Sequence, residues 1–194
     1  AAHLDGQRNF SNQLAGIDLR WRFDRGSTTS AYAQMVGEDE AGHFPSRNML
    51  LAGADTRVPM AHGSLRLFAE WSDTLAGRIT SNPRPAAAYR HSVYRQGYTH
   101  EGVVLGHAQG GDVGLASLGG VYREGVWAAV MVASAGRAEP TSQLFAPGRV
   151  AGLSTSLRWA VHAHGSQVGA QWVWWRDTAQ RRHALQLWWQ APLW

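Results

Sequence analysis

The stretch from Tyr89 to Tyr98 carries the side chains best suited to holding a ligand: His91, Tyr94, Arg95 and Tyr98. Tyrosine rings stack on the C–H faces of sugars, and arginine offers a rigid fork of donors to carboxylates and paired hydroxyls. The other use of such a cluster is a loop plug, in which Tyr and His satisfy buried backbone groups. Glu38-Asp39-Glu40 is a run of acids that could accept sugar hydroxyls or bind a hard cation, and equally suits a solvated loop. His100, Glu101, His107 and Asp112 are of metal-ligating type. No second His follows His100-Glu101 at helical spacing, and neighbours on a strand point to opposite faces, so neither a metal nor any other cofactor is expected. The chain has no Cys, which excludes thiol catalysis, disulfides and Cys-built metal sites. No Gly-x-Ser-x-Gly elbow occurs, and Ser92 and His91 would diverge on a strand. Binding is expected, not catalysis, with a rim hydrolase as the least favoured alternative.

The elements that position these residues have period two. Ala15, Ile17, Leu19, Trp21 and Phe23 alternate with Gly16, Asp18, Arg20, Arg22 and Asp24. A helix would mix the two sets on every face, whereas a strand separates them. The pattern returns over 65–72, 151–164, 168–174 and 185–191, and more weakly near 28–37, 48–56, 98–107, 113–122 and 126–134. That makes about ten strands and no convincing amphipathic helix. Strands of a soluble sandwich average about 5–6 residues, those of a membrane barrel about 9–11 or more. The lengths of 15–24 and 151–164, and their charged polar faces, favour the barrel. Ten Trp in 194 residues point the same way, because indole settles at the lipid–water boundary. Trp172, Trp174 and Trp189 suit an interfacial girdle, while Trp175 and Trp188 have the opposite parity. The longest apolar run, Val126 to Ala133, is far below the roughly 20 residues of a spanning helix. The start, Ala1-Ala2-His3-Leu4-Asp5, has no charged n-region or apolar core. All 18 basic residues are Arg, scattered among 14 acids, for a net charge of +4; without a basic cluster no nucleic-acid partner is expected.

Asp24-Arg25-Gly26, Arg123-Glu124-Gly125 and His164-Gly165-Ser166 read as tight turns, and 38–47, 73–97 and 135–149 as long loops. Short and long connections should alternate around a barrel. Between 73 and 112 that order fails by one: either a further strand lies near Tyr89 to Tyr94, or the segment folds inward. Trp194 supplies a terminal aromatic, out of phase with Leu185, Leu187 and Trp189 because of Pro192-Leu193.

Several segments together resemble the Wzi family of capsule-assembly outer-membrane proteins. They are Tyr32-Ala33-Gln34-Met35-Val36-Gly37-Glu38-Asp39-Glu40, Leu51-Ala52-Gly53-Ala54-Asp55, Phe68-Ala69-Glu70-Trp71, and Tyr89-Arg90-His91-Ser92-Val93-Tyr94-Arg95-Gln96-Gly97-Tyr98-Thr99, closing on Leu105-Gly106-His107 and Gly110-Gly111-Asp112. The resemblance spans residues 13 to 122 in content, order and spacing. It implies an all-β fold, an antiparallel transmembrane β-barrel of the outer-membrane type. Residues 1–194 would be one β-barrel domain, the C-terminal part of a barrel of roughly eighteen strands. It also implies a cell outer-membrane lectin that binds capsular polysaccharide and organises the capsule. Its other partners would be outer-membrane lipid and the outer-membrane assembly machinery. Tyr94, Arg95 and Tyr98 are the first candidates for the polysaccharide surface, with His91, Glu38, Asp39 and His107 beside them. A porin-like channel, its pore lined by Arg and Glu, is the alternative.

Overall fold

In the computed structural model the described residues are 14–23, 28–38, 40–41, 44–45, 47–78, 82–89, 99–100, 103–104, 107–161 and 166–191. Nine strands form one antiparallel sheet: β1 (Leu14–Arg22), β2 (Thr29–Glu38), β3 (Asn48–Met60), β4 (Gly63–Asp73), β5 (Val113–Glu124), β6 (Trp127–Ala138), β7 (Gly148–Val161), β8 (Ser166–Arg176) and β9 (Arg181–Gln190). Each pairs with the next in chain order, so the sheet is an up-and-down meander with β1 and β9 at its two edges. Two-residue strands at 40–41 with 44–45, and at 99–100 with 103–104, lie outside it. No helix of the described residues is long and apolar enough to cross a membrane.

Alternation separates the faces as the sequence predicts. The register Trp21↔Ala31, Ala31↔Ala54 and Ala54↔Ala69 places Trp21, and Trp71 two residues further along β4, on one face. Continuing through Trp71↔Ala116, Ala116↔Ala135 and Ala135↔Ala151 brings Trp159 to the same face. Arg20, Arg22, Glu70 and Arg158 fall on the other. The apolar face carries no charge between its ends: Leu67, Leu118, Met131, Leu157, Leu185 and Leu187 fill its middle, the last 75 % exposed. Its aromatic residues gather near the strand ends. Trp21, Trp127, Trp159 and Trp189 lie towards one rim, and Trp71, Trp172 and Trp174 towards the other. Trp127 and Trp159 face each other in register and stack, with centroids 5.2 Å apart and planes at 10°. A soluble domain does not leave so continuous an apolar surface to water.

The connections sort by rim. Residues 23–28, 61–62, 125–126 and 162–165 join strands at one rim; 39–47, 74–112, 139–147 and 177–180 join them at the other. Alternation therefore holds throughout. Of the expected strand over 98–107, the described residues 99–100 and 103–104 pair with each other outside the wall, and the wall has nine strands among the described residues where about ten were expected. The reason is topological: β4 and β5 pair with each other over their whole lengths, from Ser64↔Arg123 to Asp73↔Gly114, leaving no edge for an extra strand. The described residues 74–78 and 82–89 between them fold inward instead.

Candidate functional site

The polar face carries a charged network built from one side chain on each of four successive strands. Asp55 of β3 is buried, with 6 % of its surface exposed. Its carboxylate accepts from Arg20 of β1 at 2.7 and 2.9 Å, from Arg66 Nε of β4 at 2.6 Å, and from the Ser30 hydroxyl of β2. The strand period fixes this arrangement, because Ser30↔Asp55 and Asp55↔Phe68 are directly opposite and the Arg side chains reach diagonally from neighbouring rungs. Beside the network the Tyr32 hydroxyl donates to Glu70 at 3.0 Å, and the Arg20 guanidinium lies 5.6 Å from the Tyr32 ring centre.

Towards the long-connection rim, two connectors fold onto this same polar face. Leaving β4, Asp73 accepts from the Leu75 N–H at 2.9 Å and pairs with Arg78 at 2.7 Å. The chain then tucks Ala76, Ala88 and Tyr89 against Met49 and Val36, which are polar-face positions of β3 and β2. Asp112 closes the loop: its carboxylate accepts the Ala86 N–H at 2.8 Å, and its carbonyl accepts the Glu139 N–H at 2.9 Å. The 139–147 connector likewise drops Phe145 onto Val113, Leu115, Ala138 and Val150, with Trp175 against it. Arg78 to Glu139 at 2.8 Å and Gly111 N–H to Gln143 at 3.2 Å stitch the two connectors together. The 177–180 turn joins them through Asp177, which accepts the N–H groups of Ala179, Gln180 and Ala146. Burial pushes the Asp177 carboxyl up, but those N–H groups and Arg182 outweigh it and hold the group below its usual value.

Of the candidates for the polysaccharide surface, His107 is the one whose side chain is described. It stands where the 74–112 connector turns back to β5, half-buried. Its N–H donates to the Tyr89 hydroxyl at 3.2 Å, and its Nδ1 accepts from the Gln109 N–H at 3.4 Å. Burial pulls the imidazole pKa below its ordinary value, and the Glu70 charge opposes that only in part. The His107 backbone N–H thus pins Tyr89 to the loop base, while the neutral imidazole holds the Gln109 N–H through Nδ1. Glu38 ends β2 at the same rim; its side chain, Asp39, and the cluster His91, Tyr94, Arg95 and Tyr98 lie outside the described residues. Among the described residues no group of three or more His, Asp or Glu is placed to hold a metal ion. The sequence alternation puts Arg20 on the polar face of its strand but misses Asp55 and Ser30 as its companions, since pairing across strands needs the register.

An antiparallel meander, apolar and Trp-belted on one face, charged on the other and covered by infolded connectors at one rim, is wall of an outer-membrane type β-barrel. Residues 2–176 match the family described as capsule assembly protein Wzi, and the chain belongs to that family. It is 40% identical over 65 residues to an uncharacterized 55.8 kDa protein in the cps region of Klebsiella pneumoniae, a match spanning 32% of this chain and 13% of that protein. A solved structure has a similar fold, with a TM-score of 0.74 at 23% identity. It is described as Wzi, an outer membrane protein involved in group 1 capsule assembly in Escherichia coli and a carbohydrate-binding β-barrel. The likeness covers 95% of this chain and 42% of that one.

Proposed function

We propose that this chain is a segment of an outer-membrane lectin that holds capsular polysaccharide at the cell surface through its long-connection rim. The observation that carries the reading is the joint arrangement of an uncharged, Trp-belted outer face and a polar face capped at one rim by 74–112 and 139–147. Lipid covers the first, and the capped rim faces outward, as long connections do in such barrels. The family and the carbohydrate-binding relative support the ligand class. The chain acts by binding and not by turnover, and the outer-membrane assembly machinery inserts it. Infolded connectors weigh against the alternative of an open porin-like channel. The chain's span of 42% of the related barrel supports its being one part of a larger barrel, with β1 and β9 completed by further strands.

Within this reading Tyr94, Arg95 and Tyr98 form the sugar surface, flanked by His91, Glu38 and Asp39, and His107 holds the connector that presents them. Each sugar contact is weak, so retention depends on many repeat units engaging at once. Replacing Tyr94 and Arg95 by Ala in the full-length protein should release capsule into the medium while the barrel still inserts. Trp172→Phe, on the lipid face, should leave attachment unchanged. Capsule retained by the double variant at the parent's level would refute the site assignment.

A further inference from the structure

On the polar face, far from the capped rim, the side chains leave a trough. Its floor is set by the register. Arg123↔Ala128, Ala128↔Arg158, Arg158↔Gly169 and Gly169↔Trp188 form one continuous rung across β5 to β9. Large and small residues alternate along it. Ala128 and Gly169 leave gaps, and Arg123, Arg158 and Trp188 stand as walls two strands, or roughly 10 Å, apart. The neighbouring rung, Val121↔Val130, Val130↔Ser156 and Ser156↔Gln171, completes the lining. The cavity measures about 410 Å³, within the range of about 300–1,000 Å³ of small-molecule sites. The Trp188 indole lies over Gly169, where a Cβ would collide with its Cζ2 and Cε2, and it lines the cavity. No carboxylate lines the trough. Among the described residues neither Arg123 nor Arg158 has an ion-pair or side-chain hydrogen-bond partner, unlike Arg20, Arg66 and Arg182 of the same face.

We propose that this trough is a second binding site, separate from the rim surface, and that it takes an acidic sugar: a pyranose bearing a carboxylate, such as a hexuronate unit. The chemistry of the lining selects this class. Two unpaired guanidinium forks match a carboxylate and its neighbouring hydroxyl in bidentate fashion. The flat indole matches the C–H face of a pyranose ring, and Ser156 and Gln171 offer hydroxyl partners of either sense. The absence of any acid on the two rungs removes repulsion against the ligand's own charge. A neutral sugar would fit the space and leave both arginines uncompensated. Free phosphate would satisfy the arginines and leave the indole unused.

The site is tested by titration calorimetry on the full-length protein in detergent micelles, with an oligo-glucuronate, a neutral glucan of the same length and inorganic phosphate as probes. The glucuronate should bind, weakening as salt is raised. The glucan should bind at least about tenfold more weakly, as should the glucuronate to Arg123→Gln, Arg158→Gln and Trp188→Leu. Trp172→Phe, on the lipid face, should bind the glucuronate as the parent does, and glucuronate binding by the trough variants is read apart from capsule retention by the rim variant, so failure here and failure of the rim reading are told apart. If Arg158→Gln does not fold, Arg158→Lys keeps the charge, loses the fork and should weaken binding in the same direction. Glucuronate that binds parent and Arg variants alike, that is lost only with Tyr94 and Arg95, or that is outcompeted by phosphate at equal concentration overturns the proposal, as does absence of glucuronate binding.

Discussion

Asp55 is the residue on which the described charge network turns. One buried carboxylate stands between two guanidinium groups that are 54% and 37% exposed, so solvent screens part of each pair. Asp55→Asn keeps the shape and removes the charge. It should lower stability by about 1–2 kcal/mol, measured by urea unfolding of the barrel, with Asp55→Ala costing more because Ser30 also loses its acceptor. His107 and Asp177 both contribute to the response of the capped rim to acid. A depressed pKa means the folded state binds fewer protons, so stability is present above the unfolded value and lost as pH falls. For His107 the loss begins below 6.5, and for Asp177 below 3.8. Hydrogen exchange at the Gly110 amide, which donates to the His107 carbonyl at 2.8 Å, should lose protection first, after correction for intrinsic rates. His107→Gln should remove the upper step, and a parent without a step there would contradict the assignment. His107 was legible in sequence as a polar residue at a loop's end. The role of its imidazole in the loop was not, because that depends on the Gln109 N–H and on the charge of Glu70 of another strand.

At the scale of elements, four aromatic residues of the polar face lie on glycines directly opposite them: Tyr32 on Gly53, Phe68 on Gly119, Trp175 on Gly152 and Trp188 on Gly169. Each glycine leaves a bare backbone that the ring covers, so strand pairing and ring packing fix the same register. Gly152→Ala should force Trp175 off β7 and against Phe145, 5.2 Å away, and loosen the 139–147 connector. A cost of about 1–3 kcal/mol is expected, with faster protease nicking of that connector. Phe145→Ala should produce the same nicking without disturbing the wall, so a Gly152→Ala barrel as resistant as the parent would show that the ring can move freely. All nine wall strands were readable from period two because lipid and lumen impose opposite polarity on alternate residues, though 28–37, 48–56, 113–122 and 126–134 only weakly. The segment 98–107 misled because Val103, Val104 and Leu105 imitate a strand locally. What excludes it from the wall is the partnership of β4 with β5, a long-range fact no local pattern carries.

For the whole molecule, the division between faces determines how it tolerates change. Charge introduced at the centre of the apolar face should hinder insertion, and Leu118→Arg is expected to cost about 2–4 kcal/mol in a bilayer and little at the strand ends. Folding yield into vesicles measures it, and unchanged yield would mean this face does not meet lipid. The sheet's two edges, β1 and β9, carry unpaired backbone groups that lipid does not tolerate. Residues 14–191 expressed alone should therefore self-associate through these edges, and crosslinking between cysteines placed at Asp18 and Gln186 should reveal it.

The near-parallel indoles of Trp127 and Trp159 have an optical consequence. Two identical chromophores 5.2 Å apart share their excitation, so their absorption splits into a pair of circular-dichroism bands of opposite sign. That couplet exists only when β6 and β7 are joined in register at this rung. Its appearance during refolding would time the zipping of these two strands separately from the rest of the wall, and Trp127→Phe would erase it.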